Sequence, residues 1–165
     1  MNAIQRDYSA TEAGLADAMH ALEADALQLG LGQRTALTLM LMLEELYTNT
    51  LKYGQGERKA ADLASSLASG ERQPGVRVVL QPLPHGEVEL RYEDDGVRHD
   101  PFAPDEASHA DAAIHGEVED RPVGRLGILL LRRLSRQVAY EYRHGRNVVR
   151  LRLGADASPA DLQAP

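Results

Sequence analysis

The chain of 165 residues contains no cysteine, no tryptophan and a single phenylalanine. Without cysteine there is no disulfide, no thiolate nucleophile and no Cys-based zinc site, and a reducing compartment is permitted. With so few large aromatic rings, the core has to be built mainly from Leu, Val, Ile, Ala and Met. Nowhere do about 18 apolar residues run together, so no membrane span is expected. The N-terminus, Met1-Asn2-Ala3-Ile4-Gln5-Arg6-Asp7, lacks the apolar run of a signal peptide. Basic charge is also in deficit. The formal net charge is −7, which argues against direct nucleic-acid binding.

What is present suffices for one domain with its own core. That domain is expected over residues 1–154, with a flexible tail at 155–165. A short strand is expected over 3–8. A helix start follows, with either Ser9 and Glu12 as a capping box or Thr11 as the cap. The first helix runs to about residue 29, and its apolar stripe is Leu15, Ala18, Met19, Leu22 and Ala26. A second helix is expected over 33–53, ended by Gly54 and Gly56. Residues 55–75 are polar and rich in Ala and Ser, and read as an insertion.

The period then changes to two. Val76, Val78 and Leu80 alternate with Arg77, Val79 and Gln81, and Val88, Leu90, Tyr92 and Asp94 alternate with Glu89, Arg91 and Glu93. These read as a hairpin. Periodicity is lost over 95–125, and residues 97–124 read as a long lid. A helix over 127–136 and a second hairpin around His144-Gly145-Arg146-Asn147 complete the chain. The order gives an α+β fold: a two-layer sandwich with helices packed on one face of a mixed, mostly antiparallel sheet.

Three constellations carry chemistry. In the second helix, Glu45, Asn49 and Lys52 recur at spacings of four and seven and share one face. A carboxylate, an amide and an ammonium on an otherwise apolar helix need a reason. An Asn carbonyl oxygen suits Mg²⁺, and a carboxylate one turn earlier can take a proton from an attacking hydroxyl. Glu44 lies about 100° round the helix and is left out. The second constellation is Asp94-Asp95-Gly96. Asp94 ends the core-facing side of its strand, where a carboxylate can accept from an amino group such as that of adenine. Gly96 would let a planar base approach, although Asp-Gly is also a common turn pair. The third is Gly124-Arg125-Leu126-Gly127, ahead of an apolar helix. Backbone N–H groups exposed there offer a seat for phosphate, or simply start a helix. His99, His109 and His115 match no metal-site spacing and read as part of a solvated lid. Arg132, Arg133 and Arg136 read as the wet side of the last helix.

In this order the three motifs resemble the GHKL superfamily of ATP-binding domains, which includes histidine kinases and gyrase-type topoisomerases. Within it the chain is most similar to the stand-alone anti-sigma-factor serine/threonine kinases of bacterial partner-switching systems, over roughly residues 4–153. The similar stretches include Tyr8-Ser9-Ala10-Thr11-Glu12, the segment from Asp94 to Phe102, and Gly145-Arg146-Asn147. The resemblance implies the cofactors ATP and Mg²⁺. It implies Glu45 as general base, Asn49 as magnesium ligand, Asp94 with Gly96 on the adenine, and Gly124 and Gly127 on the phosphates. Lys52-Tyr53 looks like the pair histidine kinases place on phosphate and base, where most anti-sigma kinases have His in place of Tyr53. Arg125 stands where glycine is usual in the lid, either as a charge clamp on phosphate or as an obstruction to closure.

Glu45 favours a serine kinase, because a serine hydroxyl needs a base and a phosphorylated histidine does not. The resemblance also implies a cytoplasmic protein that phosphorylates a STAS-type anti-anti-sigma partner and sequesters a sigma factor. It suggests a homodimer as well. The alternatives are a non-catalytic nucleotide-binding module that acts by sequestration, or a detached histidine-kinase catalytic domain.

Overall fold

The computed structural model describes residues 2–54, 75–103 and 125–154. Strand β1 (Ile4–Ser9) leads into helix α1 (Glu12–Gln28) and helix α2 (Gln33–Asn49), which continues into a π-helical turn, Thr50–Gly54. Strands β2 (Gly75–Pro82) and β3 (Val88–Asp94) follow. Helix α3 (Arg125–Leu134) and strands β4 (Gln137–Arg143) and β5 (Arg146–Leu153) close the sequence.

The strands form one sheet in the order β1-β2-β3-β5-β4. The expected mixed sheet is, among the described strands, antiparallel at every pairing. Two hairpins account for β2–β3 and β4–β5. In the second, His144 (φ 52°) and Gly145 (φ 76°) take the positive φ that two-residue hairpin turns favour. The turn is therefore tighter than the sequence suggested. It leaves Arg146 and Asn147 inside β5, where Asn147 faces Asp94 across the β3–β5 ladder.

Alternation decides the buried face. Val88, Leu90, Tyr92 and Asp94 of β3 point inward, as do Val149, Leu151 and Leu153 of β5. They pack against Leu39, Met42, Leu43, Leu46 and Tyr47 of α2 and Leu131 of α3. Each such aliphatic side chain contributes about 1.5–3 kcal/mol by leaving water. The outer sheet face is charged and held by pairs such as Arg77–Asp7 at 2.7 Å.

Thr11 is the cap of α1, its hydroxyl accepting from the Gly14 N–H at 3.1 Å. Close by, the hydroxyl of the buried Tyr47 donates to the Ser9 carbonyl oxygen. A Cβ at Gly14 would lie 2.0 Å from that oxygen, so only glycine lets α1 sit so near the end of β1. Asp25 interrupts the apolar stripe of α1. It is buried, and Arg6 holds it with two bonds at 2.6 and 2.7 Å.

The second helix stops being α-helical at Asn49, four residues earlier than its periodicity predicts. Lys52 and Tyr53 lie in the π-helical turn and are exposed. The 55–75 insertion (apart from residue 75, which opens β2), the lid beyond residue 103 as far as Gly124, and the tail at 155–165 lie outside the described residues.

Candidate functional site

Two elements with different periods meet at the site. The last turn of α2 brings Leu46 and Asn49, and the π-helical turn adds Thr50 and Tyr53. A widened turn of this kind often marks a functional position. Opposite them stand Tyr92 and Asp94 from the end of β3, with Asn147 and Val149 from β5. The segment after β3 supplies Val97, His99 and Pro101. Together these residues line a cleft of about 350 Å³ that is open to solvent.

The walls are mostly apolar, and the polar groups sit at its floor. Asp94 is 7% exposed. Its Oδ1 accepts from the Gly96 N–H at 2.9 Å and from Asn147 Nδ2 at 3.0 Å. Burial raises the pKa of its carboxyl above the ordinary aspartate value, while Asn147, the Gly96 N–H and the Thr50 hydroxyl pull it back. The Tyr92 hydroxyl donates to Thr50 Oγ1 at 2.7 Å. At the mouth, the rings of Tyr53 and His99 lie 5.5 Å apart, tilted by 31°.

Glu45 lies apart from this cleft. Its carboxylate rests on the first turn of α3, where a Cβ at Gly127 would come within 1.8 Å of Oε2. Partial burial raises its pKa; the neighbouring Glu44 adds to the shift and Lys52 opposes it. Glu44 is exposed, in keeping with its place on another face.

The predicted residues therefore fall into groups. Asn49, Tyr53 and Asp94 share the cleft. Gly96 stands behind Asp94 as a backbone donor. Glu45 and Gly127 touch each other. Lys52 is exposed, and its charge is felt at Glu45. Arg125 opens α3, and Gly124 lies outside the described residues.

Sequence reasoning missed Thr50, Tyr92 and, above all, Asn147. An alternation count places Tyr92 inward, but nothing local distinguishes Asn147 from a turn residue. Only its register opposite Asp94 does so. His99 is exposed, as a solvated lid residue would be, and its ring also lies against that of Tyr53. Arg132 was read as solvated too, and while exposed it also donates to the Phe102 carbonyl.

A buried acceptor, Asp94, stands at the end of an apolar slot. The start of α3 at Gly127, against Glu45, has no room for a side chain. Among the described residues, no three His, Asp or Glu side chains converge into a metal cage. A cation bound at Asn49 would therefore draw its other ligands from phosphate oxygens and water, as Mg²⁺ commonly does.

The sequence profile of the histidine kinase-like ATPase domain matches residues 8–153. The chain belongs to that family. The matched span contains every residue that lines the cleft, and the family is one of ATP-binding domains. Comparison with curated proteins returns no match. Among the described residues, no helix of this ATPase domain is long and apolar enough to cross a membrane.

Proposed function

We propose that the chain is an ATP-dependent protein serine/threonine kinase that phosphorylates a STAS-type partner and, in the other half of its cycle, sequesters a sigma factor. The observation that carries this reading is the position of Glu45. It sits one helical turn before Asn49, is partly buried, and has a carboxyl pKa raised by that burial. A partly buried carboxylate of raised pKa, one helical turn from a residue that lines the cleft, is suited to accepting a proton.

In the proposed reaction the partner's hydroxyl oxygen forms a bond to the γ-phosphorus. The bond from that phosphorus to the oxygen bridging to ADP breaks, and the hydroxyl proton passes to Glu45. Asp94 accepts the amino group of adenine, and the apolar walls exclude water from the base. Asn49 would hold the magnesium ion through its carbonyl oxygen. That ion would neutralise phosphate charge as transfer proceeds. The first turn of α3, bare of a side chain at Gly127, would lie along the phosphates.

A second reading is favoured by the contact between Glu45 and Gly127, which engages the carboxylate within the protein. On this reading the domain binds ATP and acts only by holding its partner. Purified chain with labelled ATP, Mg²⁺ and the candidate STAS protein separates the two. The kinase reading expects phosphoserine or phosphothreonine on the partner, and expects Glu45→Ala to abolish it while ATP binding persists. Partner binding without phosphate transfer by the wild-type chain would establish the second reading.

A further inference from the structure

Strand β4 stands at one end of the sheet. One of its edges pairs with β5 and, among the described residues, the other pairs with no strand. Such an edge offers a row of backbone N–H and C=O groups to any extended chain that comes alongside, and proteins usually guard it with lysine, proline or a bulge. β4 has none of these. Its sequence is Gln-Val-Ala-Tyr-Glu-Tyr-Arg, and its register against β5 runs unbroken from Gln137 to Arg143. From Gln137 to Tyr140 it carries no charge. By contrast β1, at the opposite end of the sheet, carries Arg6 and Asp7, each in an ion pair.

An open groove of about 870 Å³ runs along this edge, with Gln137, Val138, Ala139 and Tyr140 as its floor. Successive residues of a strand face opposite sides of the sheet, so four in a row line one groove only where it meets the strand edge-on. With β5 on the other edge, that is the free one. The end of α3 and the turn after it supply one wall, with Arg132, Ser135 and Arg136. Asp100 and Phe102, from the segment after β3, supply the other. Ser135 Oγ is buried and has no hydrogen-bond partner among the described residues.

The charges along the groove are lopsided. Arg132 lies over the Phe102 ring, 5.6 Å from its centroid, and donates to the Phe102 carbonyl oxygen. Among the described residues no carboxylate pairs with it. Arg136 reaches Glu87 at 3.2 Å, with most of its side chain in solvent. Asp100 is the one acid in the lining, and its Oδ1 already accepts from the Phe102 N–H at 2.9 Å. On a chain of net charge −7, two guanidinium groups beside an open edge favour an acidic chain.

We propose that the free edge of β4 is a docking site for an extended acidic segment of a partner protein, which adds to the sheet as a strand. Backbone bonds to β4 would give affinity, and alternate side chains would give specificity. Acidic groups on the α3 side of the added strand would meet Arg132 and Arg136. The segment after β3 also walls the cleft, through His99 and Pro101, so the added strand would touch a wall shared by both sites. This inference does not depend on the cleft taking a nucleotide.

The probe is a short synthetic peptide of alternating Glu and Val, blocked at both ends. One control has Lys in place of Glu. A second is the acidic peptide N-methylated at two adjacent central residues, which removes a donor from each of its edges. Binding to the full chain is measured by calorimetry, and amide hydrogen exchange is followed residue by residue over 137–143. The acidic peptide should bind, and alternate amides of β4 that exchange fast in the free chain should become protected. Both controls should bind at least about tenfold more weakly. Arg132→Gln and Arg136→Gln, checked by circular dichroism for folding, should each weaken the acidic peptide by roughly fivefold.

An acidic peptide that fails to bind wild type overturns the proposal. Equal binding of the N-methylated peptide would show attraction by charge without strand pairing, and equal binding of the Lys peptide would remove the acidic partner. If the outward amides of β4 are already protected in the free chain, the edge is covered by the chain itself, or by a second copy where that protection grows with protein concentration. Either result also overturns the proposal. The peptide comparisons on wild type decide the matter even if an arginine variant does not fold.

Discussion

The Glu45 carboxylate lies so close to Gly127 that a methyl group on the glycine would fall within 1.8 Å of Oε2. This is a contact between the C-terminal part of α2 and the first turn of α3. It makes the bareness of position 127 a requirement of the neighbouring carboxylate as well as of any phosphate. The two residues form one unit, and they should respond to mutation as one.

Gly127→Ala is expected to displace Glu45 from its resting place. Alanine is the better helix former by about 1 kcal/mol, and the carboxylate is the mobile end of a side chain, so stability should change little. Phosphate transfer should fall in both Gly127→Ala and Glu45→Ala, by roughly a hundredfold to ten-thousandfold in the latter. The double variant should be no worse than Glu45→Ala alone. Strictly additive losses in that cycle would show that the two residues act independently.

The raised pKa of Glu45 fixes the sign of a pH effect. Folding favours its protonated form, so this group's stabilisation is present below the ordinary glutamate value of about 4.3. It is lost as pH rises through the higher folded value. Glu45→Gln, which cannot ionise, should therefore melt above wild type at pH 8. The gap should close as pH falls towards 4. A gap that stays constant with pH would mean the carboxylate carries no desolvation penalty.

The junction of β1, α1 and α2 predicts a stability loss. Gly14→Ala would push a methyl group into the Ser9 carbonyl oxygen and towards the Tyr47 hydroxyl. Backbone cannot yield as a side chain can. A cost of about 2 kcal/mol is expected in chemical denaturation, despite alanine's better helix propensity.

Two ion pairs of β1 should differ sharply. Arg6 holds the buried Asp25, whereas the Arg77–Asp7 pair is solvated. Arg6→Ala strands a carboxylate and should destabilise by about 2 kcal/mol. Arg77→Ala should stay within about 0.5 kcal/mol. Equal losses in urea titrations would contradict the burial argument.

Asn49→Ala should weaken ATP binding in Mg²⁺ by about tenfold, the equivalent of about 1.4 kcal/mol. With a chelator present, wild type and variant should bind alike. Calorimetry under both conditions reads the difference directly.

Much of this architecture was legible in the sequence because its signals are local. Alternation from Val76 to Asp94 marks a hairpin with one wet face. The Glu45–Asn49 spacing sets two polar groups on one side of α2, of which Asn49 lines the cleft, and Asp94 ends an apolar row. What escaped depends on partners distant in sequence. The turn to π-helical geometry after Asn49 leaves no mark in a count of apolar residues. Asp25 reads as a break in a stripe until Arg6 arrives from β1. Asn147 gains its meaning only from the register that sets it beside Asp94.

That register ties the cleft to the order of assembly. β3 and β5 are neighbours in space yet come from opposite sides of helix α3 and strand β4 in sequence, so the floor of the cleft is a long-range contact. Such contacts form late, after loop closure has been overcome. A growing chain released before β5 emerges would have Asp94 without its amide partner, and no finished seat for ATP. A nucleotide bound on that floor would stabilise only chains whose last strand has docked.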